Sequence, residues 1–316
     1  MSGLITVFWK ELADDFTSWR FMILFFLILL AGVFAIYVSA QTIREVEVET
    51  NLVFLKLFTT SSEALPYSFL AFIVFLVPII GIVLGFDAIN SEKNNGTLSR
   101  LLSQPIYRDA VINGKFLAGV VTMAVMLVSI VLIVAGIGLR MIGVPPSSEE
   151  VIRLMAFLGA SIVYGAFWLG LAMLFSVFFR RVATSAMASI AIWIFFIFFV
   201  SVLAGAIANW VAPIDASSAL EEQFRNAEVV IAAMRASPIT LFQEATSVLL
   251  VPDLRTMSQM LQIQTSGVLD WMLPTPLSLG QSLLMVWPHL VGLVTLTVVC
   301  FAISYVKFMR EEIRST

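Results

Sequence analysis

Six runs of predominantly apolar residues leave this chain few ways to fold: Phe21–Ala40, Tyr67–Ile89, Phe116–Leu139, Ile152–Phe179, Ala183–Val211 and Leu283–Met309. Each is long enough for the roughly 20 residues a helix needs to cross the hydrocarbon core of a bilayer. The first run shows the strength of the signal. It holds about thirteen Leu, Ile, Val and Phe, each worth about 0.3–0.6 kcal/mol near a helix centre, so insertion is favoured by roughly 4–8 kcal/mol. No charge lies between Arg20 and Arg44 to oppose it. Composition agrees: 12% of the residues are charged, where soluble domains hold about 25%, and this excludes a water-soluble monomer. The expected fold is all-α, a polytopic membrane protein with six transmembrane helices.

Lysine and arginine set the orientation, because loops rich in them stay in the cytoplasm. One side collects Lys10, Arg20, Lys93, Arg100, Arg108, Lys115, Arg180, Arg181, Lys307, Arg310 and Arg314 in the shorter loops. The other side has fewer cations and carries Glu45, Glu47, Glu49, Glu149, Glu150, Glu221 and Glu222. Both termini are therefore expected in the cytoplasm of a cell whose plasma membrane the chain spans. Val38-Ser39-Ala40 has the look of a signal-cleavage site. The run before it exceeds the roughly 7–15 residues of a signal-peptide core, so an uncleaved first span is expected.

Four regions follow. Residues 1–20 form a cytoplasmic interfacial helix, with Leu4, Phe8, Leu12, Phe16 and Trp19 on one face and Lys10, Glu11, Asp14 and Asp15 on the other. Residues 21–212 hold spans one to five. Residues 213–282 form an extracytoplasmic loop with helical periodicity at Leu220, Phe224, Ala227, Ile231 and Met234, and a second helix opened by Ser237-Pro238. A third helix is expected between Asp253 and Gly267. The loop's role stays open between gating an exit, binding an extracytoplasmic partner and shielding the bundle. Residues 283–316 hold the last span and a cytoplasmic tail. Small residues four apart, Gly81 with Gly85, Ser161 with Gly165 and Ser201 with Gly205, are expected at helix contacts within the bundle, where they let backbones approach.

Between the second and third spans lies a compact polar segment, residues 90–115, reading NSEKNNGTLSRLLSQPIYRDAVINGK. Thr97 can cap a short helix whose Leu98, Leu101 and Leu102 share one face, and Pro105 would end it. An apolar face displayed at a water boundary calls for a partner, though the segment can also pack on its own bundle.

The residues Glu92, Gly96-Thr97-Leu98, Arg100, Leu101-Leu102, Pro105, Arg108 and Gly114-Lys115 resemble the cytoplasmic coupling segment of type-2 ABC transporter permeases. Within that family the chain is most similar to the permeases linked to nitrous oxide reductase and multicopper enzyme maturation. The resemblance covers the whole topology, although the loop before the last span is longer than in many members. It implies a permease that works as a dimer, most simply a homodimer, with two separate ATPase subunits that carry ATP and magnesium. It also implies docking of the segment in a groove on the ATPase. Leu98, Leu101 and Leu102 would be buried there, with Glu92, Arg100 and Arg108 fixing the register.

The chain lacks G-x-x-x-x-G-K-[ST], since Asp109 stands where the first glycine before Gly114-Lys115 would be, so no ATPase activity of its own is expected. Leu277-Ser278-Leu279-Gly280-Gln281 resembles an ATPase signature but falls on the outer side, before the last span. One cysteine, Cys300, and one histidine, His289, leave no cysteine metal site and no histidine pair. Cys300 reads as a small apolar residue and His289 as a polar residue near a helix end. The net charge of −3 gives no reason to expect a nucleic-acid partner. Asp87 is the one carboxylate read as lying near a span, toward its cytosolic end, which disfavours an ion-coupled carrier but not a pore; the alternative reading is a nucleotide-independent secondary carrier or channel.

Overall fold

The computed structural model describes residues 2–45, 52–61, 67–97, 106–214, 220–251 and 277–311. Every element among them is helical. Helix α1 (Ser2–Thr17) precedes α2 (Trp19–Glu45), short α3 (Val53–Thr59), α4 (Phe69–Gly85) and short α5 (Asn90–Asn94). Then come α6 (Arg108–Ile142), α7 (Ser148–Phe178), α8 (Val182–Ile194), a π-helical turn (Phe195–Phe199) and α9 (Val200–Val211). Helices α10 (Leu220–Met234), α11 (Pro238–Leu250) and α12 (Leu279–Arg310) complete the described chain.

Six stretches are long and apolar enough to cross a membrane: Trp19–Arg44, Phe69–Asn94, Arg108–Ile142, Ser148–Phe178, Val182–Val211 and Leu279–Arg310. All six expected spans are present, and most of their ends move outward. The third begins at Arg108 rather than Phe116, because Asp109 sits in the first turn and its carboxylate accepts from the Ala110 amide. Its 35 residues run about 52 Å at 1.5 Å each, against about 30 Å of hydrocarbon, so its polar ends stand clear of the apolar layer. Gly143, at φ 78, closes it in the left-handed conformation. The fourth span opens with a capping box between Ser147 and Glu150. The sixth opens with another, between Ser278 and Gln281, so the signature-like Leu277–Gln281 stretch is a helix start.

Span four is the hub. Some 72% of its most apolar window is buried, against 6% and 11% in spans five and six. Span two seats on it through glycine. A Cβ on Gly81 would stand 2.8 Å from the Gly165 carbonyl oxygen and from the Leu169 amide, and one on Gly85 would stand 2.8 Å from the Leu169 carbonyl. Gly165 faces Val77 of span two and Met123 of span three, while the Ser161 hydroxyl bonds back to Phe157 within its own helix. The third small-residue pair departs from expectation. Gly205 has nothing within 4 Å of a Cβ and Ser201 is exposed, so this pair faces outward. Helix α11, opened by the Ser237 cap and Pro238 as read from the sequence, lies against the hub, where Phe242 stacks on Tyr164 at 4.3 Å between centroids. The third loop helix, expected at Asp253–Gly267, lies outside the described residues.

Candidate functional site

The residues that root the 90–115 segment meet where α1, the end of span two and the start of span three come together. Gly114 makes that approach possible. A Cβ there would stand 2.8 Å from Val7 Cγ1, so α1 rests directly on the span-three backbone. The next residue, Lys115, points into the junction with its side chain only 5% exposed. Its Nζ lies 2.9 Å from Glu11 Oε1 on α1 and 2.8 Å from Glu92 Oε1 on α5. A buried ammonium is tolerated only when paired, and here one cation ties three elements. Lys10 adds contacts of 2.8 Å to Glu11, 3.0 Å to Asp14 and 4.0 Å to Glu92. Burial works against the Lys10 charge, but Glu11 and Asp14 more than offset it and hold its pKa above the ordinary lysine value.

Asp15 faces the same junction, accepting from Thr122 Oγ1 at 3.0 Å. Burial pushes its carboxyl up to about 6, with Glu11 and Asp14 adding to the rise and Thr122 and Lys115 opposing it. Asp87 pairs with Arg20, whose guanidinium sits 5.3 Å from the Phe86 ring centre. Lys10, Glu11, Asp15, Asp87, Glu92 and Lys115 line a polar cavity of about 430 Å³.

Further contacts reach the rest of the bundle. Lys93 pairs with Glu311 at the end of span six, and Arg108 Nη1 donates to the Glu311 carbonyl at 2.8 Å. Asn94 donates to the Arg180 carbonyl between spans four and five at 3.0 Å. Ser176 Oγ accepts the Ile89 and Asn90 amides where span two gives way to α5. Both ends of the segment are thus fastened to α1, to the turn after span four and to the end of span six.

Of the residues singled out from the sequence, Glu92, Gly96, Thr97, Arg108 and Lys115 lie in this region. Gly96 takes φ 68, a left-handed turn, and the Thr97 hydroxyl donates to the Glu92 carbonyl at 3.3 Å. Glu92 and Lys115 turn inward onto each other. Leu98, Arg100, Leu101, Leu102 and Pro105 lie outside the described residues. Sequence reasoning missed Glu11 and Asp15 by placing them on a solvated face. Of the expected α1 apolar stripe, Leu12 is buried and Leu4, Phe8 and Phe16 are half-buried, whereas Trp19 is 79% exposed and begins span one; Val7, which the stripe left out, is buried.

Two more charged clusters lie at the other end of the bundle. Arg153, fully buried, donates to the Leu249 and Leu277 carbonyls, to Ser282 Oγ and to Glu149, stapling span four to α11 and the start of span six. The Glu149-to-Arg153 spacing of four was the available signal. Glu150 accepts from the Phe54 amide at 2.9 Å and the Ser147 amide at 2.8 Å, capping α3 and its own helix. Glu244 on α11 meets His289 at 2.6 Å and Arg235 at 2.9 Å. Asp87 is therefore not the one carboxylate at a span: Glu150 and Glu244 are buried against the bundle. His289 sits inside the last span rather than near its end, and Cys300 is half-buried. Among the described residues no group of three or more His, Cys, Asp or Glu could hold a metal ion.

Six apolar helices with a fastened polar segment between the second and third define a multi-pass membrane protein, and comparison with known proteins places it. Residues 5–313 match the family described as ABC-2 family transporter protein, and the chain belongs to that family. It is also similar to the probable ABC transporter permease protein NosY of Pseudomonas aeruginosa, at 31% identity over 142 residues. That match covers 44% of this chain and spans about half the length of the relative, 50%.

Proposed function

We propose that this chain is the membrane-spanning permease subunit of an ATP-driven ABC exporter, coupling hydrolysis by a separate ATPase to movement of substrate. Two copies of the permease would pair and two ATPase subunits would dock from the cytoplasm, each carrying its own ATP and magnesium. In this reading both termini and the 90–115 segment lie in the cytoplasm of a cell whose plasma membrane the chain spans. The region 1–20 acts as an interfacial helix, 21–212 and 283–316 as the transporting bundle, and 213–282 as an extracytoplasmic lid that can meet a partner.

The observation that carries the reading is Lys115, which joins α1, α5 and span three through Glu11 and Glu92. A push on the segment is passed through this ion-paired junction into the interfacial helix and span three together. The Glu311 contacts pass it to span six. ATP binding then has only to favour one arrangement of the bundle over another. Leu98, Leu101 and Leu102 are assigned the apolar contact with the ATPase, and Arg100 and Arg108 the polar flanks.

The test is co-purification of the tagged chain with its ATPase from mild detergent. The native chain retains the ATPase, and the double variant Leu101→Asp, Leu102→Asp loses it while remaining folded. Retention of the ATPase by that variant would show that the segment is not the dock. The alternative, a nucleotide-independent carrier, draws on the buried Glu244–His289 pair, and transport that ignores nucleotide would select it.

A further inference from the structure

His289 lies inside span six, one residue after Pro288, and both its ring nitrogens face oxygen. Nδ1 is 3.1 Å from the Met285 carbonyl one turn back, and Nε2 is 2.6 Å from Glu244 Oε2. A carbonyl has no hydrogen to give, so the contact at Nδ1 needs a proton on that nitrogen. A neutral ring protonated there would set a bare Nε2 lone pair against the carboxylate. The other neutral tautomer satisfies Glu244 but turns a bare Nδ1 toward the carbonyl. Neither neutral tautomer satisfies both contacts while Glu244 is ionised; the imidazolium does.

The carboxylate is the ionised partner. Burial alone would raise the Glu244 carboxyl, but the His289 and Arg235 hydrogen bonds more than offset it and hold it below the ordinary carboxylate range. The Arg235 Nε donates to the same Glu244 Oε2 at 2.9 Å, which favours the ionised carboxylate and leaves the shared proton on the ring. Glu244 is only 4% exposed, and its Oε1 has no hydrogen-bond partner among the described residues.

We propose that Glu244 and His289 form a proton-binding site whose imidazolium clamps helix α11 onto span six. Binding adds one proton to the neutral ring beside the carboxylate, and release returns it to solvent with no other change in bonding. The clamp sits beside an apolar cavity of about 530 Å³, within the range of small-ligand pockets. Ile239, Thr240 and Gln243 of α11 form one wall, facing Phe75 of span two and Phe196 and Val200 of span five. Proton release loosens that wall.

Other charges near α11 are accounted for. Arg235, 43% exposed, shares Glu244 Oε2. On span four, Arg153 is held by Glu149 and grips the far end of α11 at Leu249, and Glu150 is engaged with Phe54 and Ser147. Short helix α3 brings Lys56, while α4 and the π-helical turn bring no charge. Among the described residues, Arg235 and His289 are the cations that reach Glu244. The sign follows. The clamp is lost toward alkaline pH as the ring gives up its second proton. It is lost toward acid pH as Glu244 protonates below the ordinary carboxylate range.

The chain has a single histidine, so the full-length protein in lipid bilayers, labelled with ¹⁵N in the imidazole, yields one pair of ring signals. While α11 is clamped, both nitrogens are expected to carry protons. On raising the pH the ring turns neutral, and hydrogen-exchange protection of residues 238–250, corrected for intrinsic rate, falls at least severalfold in step. Glu244→Gln is expected to abolish the pH dependence of that protection. A native ring with one bare nitrogen while α11 stays fully protected, or protection of α11 that ignores ring protonation, would overturn the proposal. Both are read on the native protein, so the conclusion stands even if the variant fails to fold. Neither depends on nucleotide, so failure here is distinct from failure of the ATPase-coupling reading.

Discussion

Lys115 is the residue on which most of the described junction converges. Its side chain is 5% exposed, and its partners Glu11 and Glu92 are 16% and 14% exposed. Breaking a buried pair by removing one partner costs about 3–5 kcal/mol. Lys10 stands near enough to Glu11 and Glu92 to take over part of the role, so Lys115→Met is expected at the lower end, about 3 kcal/mol. Thermal unfolding in detergent reads this as a lowered midpoint, and an unchanged midpoint would mean that the junction is looser than described. Asp15 gives a pH signature. Its folded value of about 6 lies above the ordinary 3.8, so its contribution is fully present below 3.8 and is lost as pH rises through about 6. Docking of α1 should tighten between pH 7 and pH 5, and Asp15→Asn should flatten that dependence in unfolding midpoints across the same range. The sequence pointed to Lys115 and Glu92 as part of one motif but not to their bridge. Spacing within a loop does not say which side chains turn inward, and Glu11 came from a helix 81 residues before Glu92.

At the scale of elements, the spans were legible because twenty apolar residues have few alternatives to a membrane helix. Their ends were not, since capping boxes at Ser147 and Ser278 and the acidic first turn at Asp109 extend helices past the apolar runs. The small-residue pairs show the same limit. Spacing of four marked three of them, but packing decides which face inward. Gly81→Ala puts a methyl against span-four backbone and should cost about 1–3 kcal/mol, whereas Gly205→Ala meets nothing and should be neutral. Equal unfolding midpoints for the two variants would contradict the seating of span two on span four. The polar contacts of α11 were hidden for a different reason. Glu244 and His289 are 45 residues apart, and only the return of the chain over span four brings them together.

For the whole molecule, the asymmetry of burial is the leading fact. Spans five and six keep 6% and 11% of their windows buried, and Trp210 is 85% exposed. Those faces point away from the core of the bundle, and under the proposed function they are where lipid and a second copy would be met. The segment between spans two and three is fastened at both ends to α1, span three and span six, so under the proposed function force applied there would be distributed across the bundle. The most direct measurement is transport per ATP hydrolysed by the ATPase assembled with the full chain in lipid bilayers, native against Lys115→Met. The account predicts that the variant still assembles with the ATPase, yet hydrolysis no longer drives transport. Transport that stays coupled to hydrolysis in the variant would show that force does not travel through the Lys115 junction.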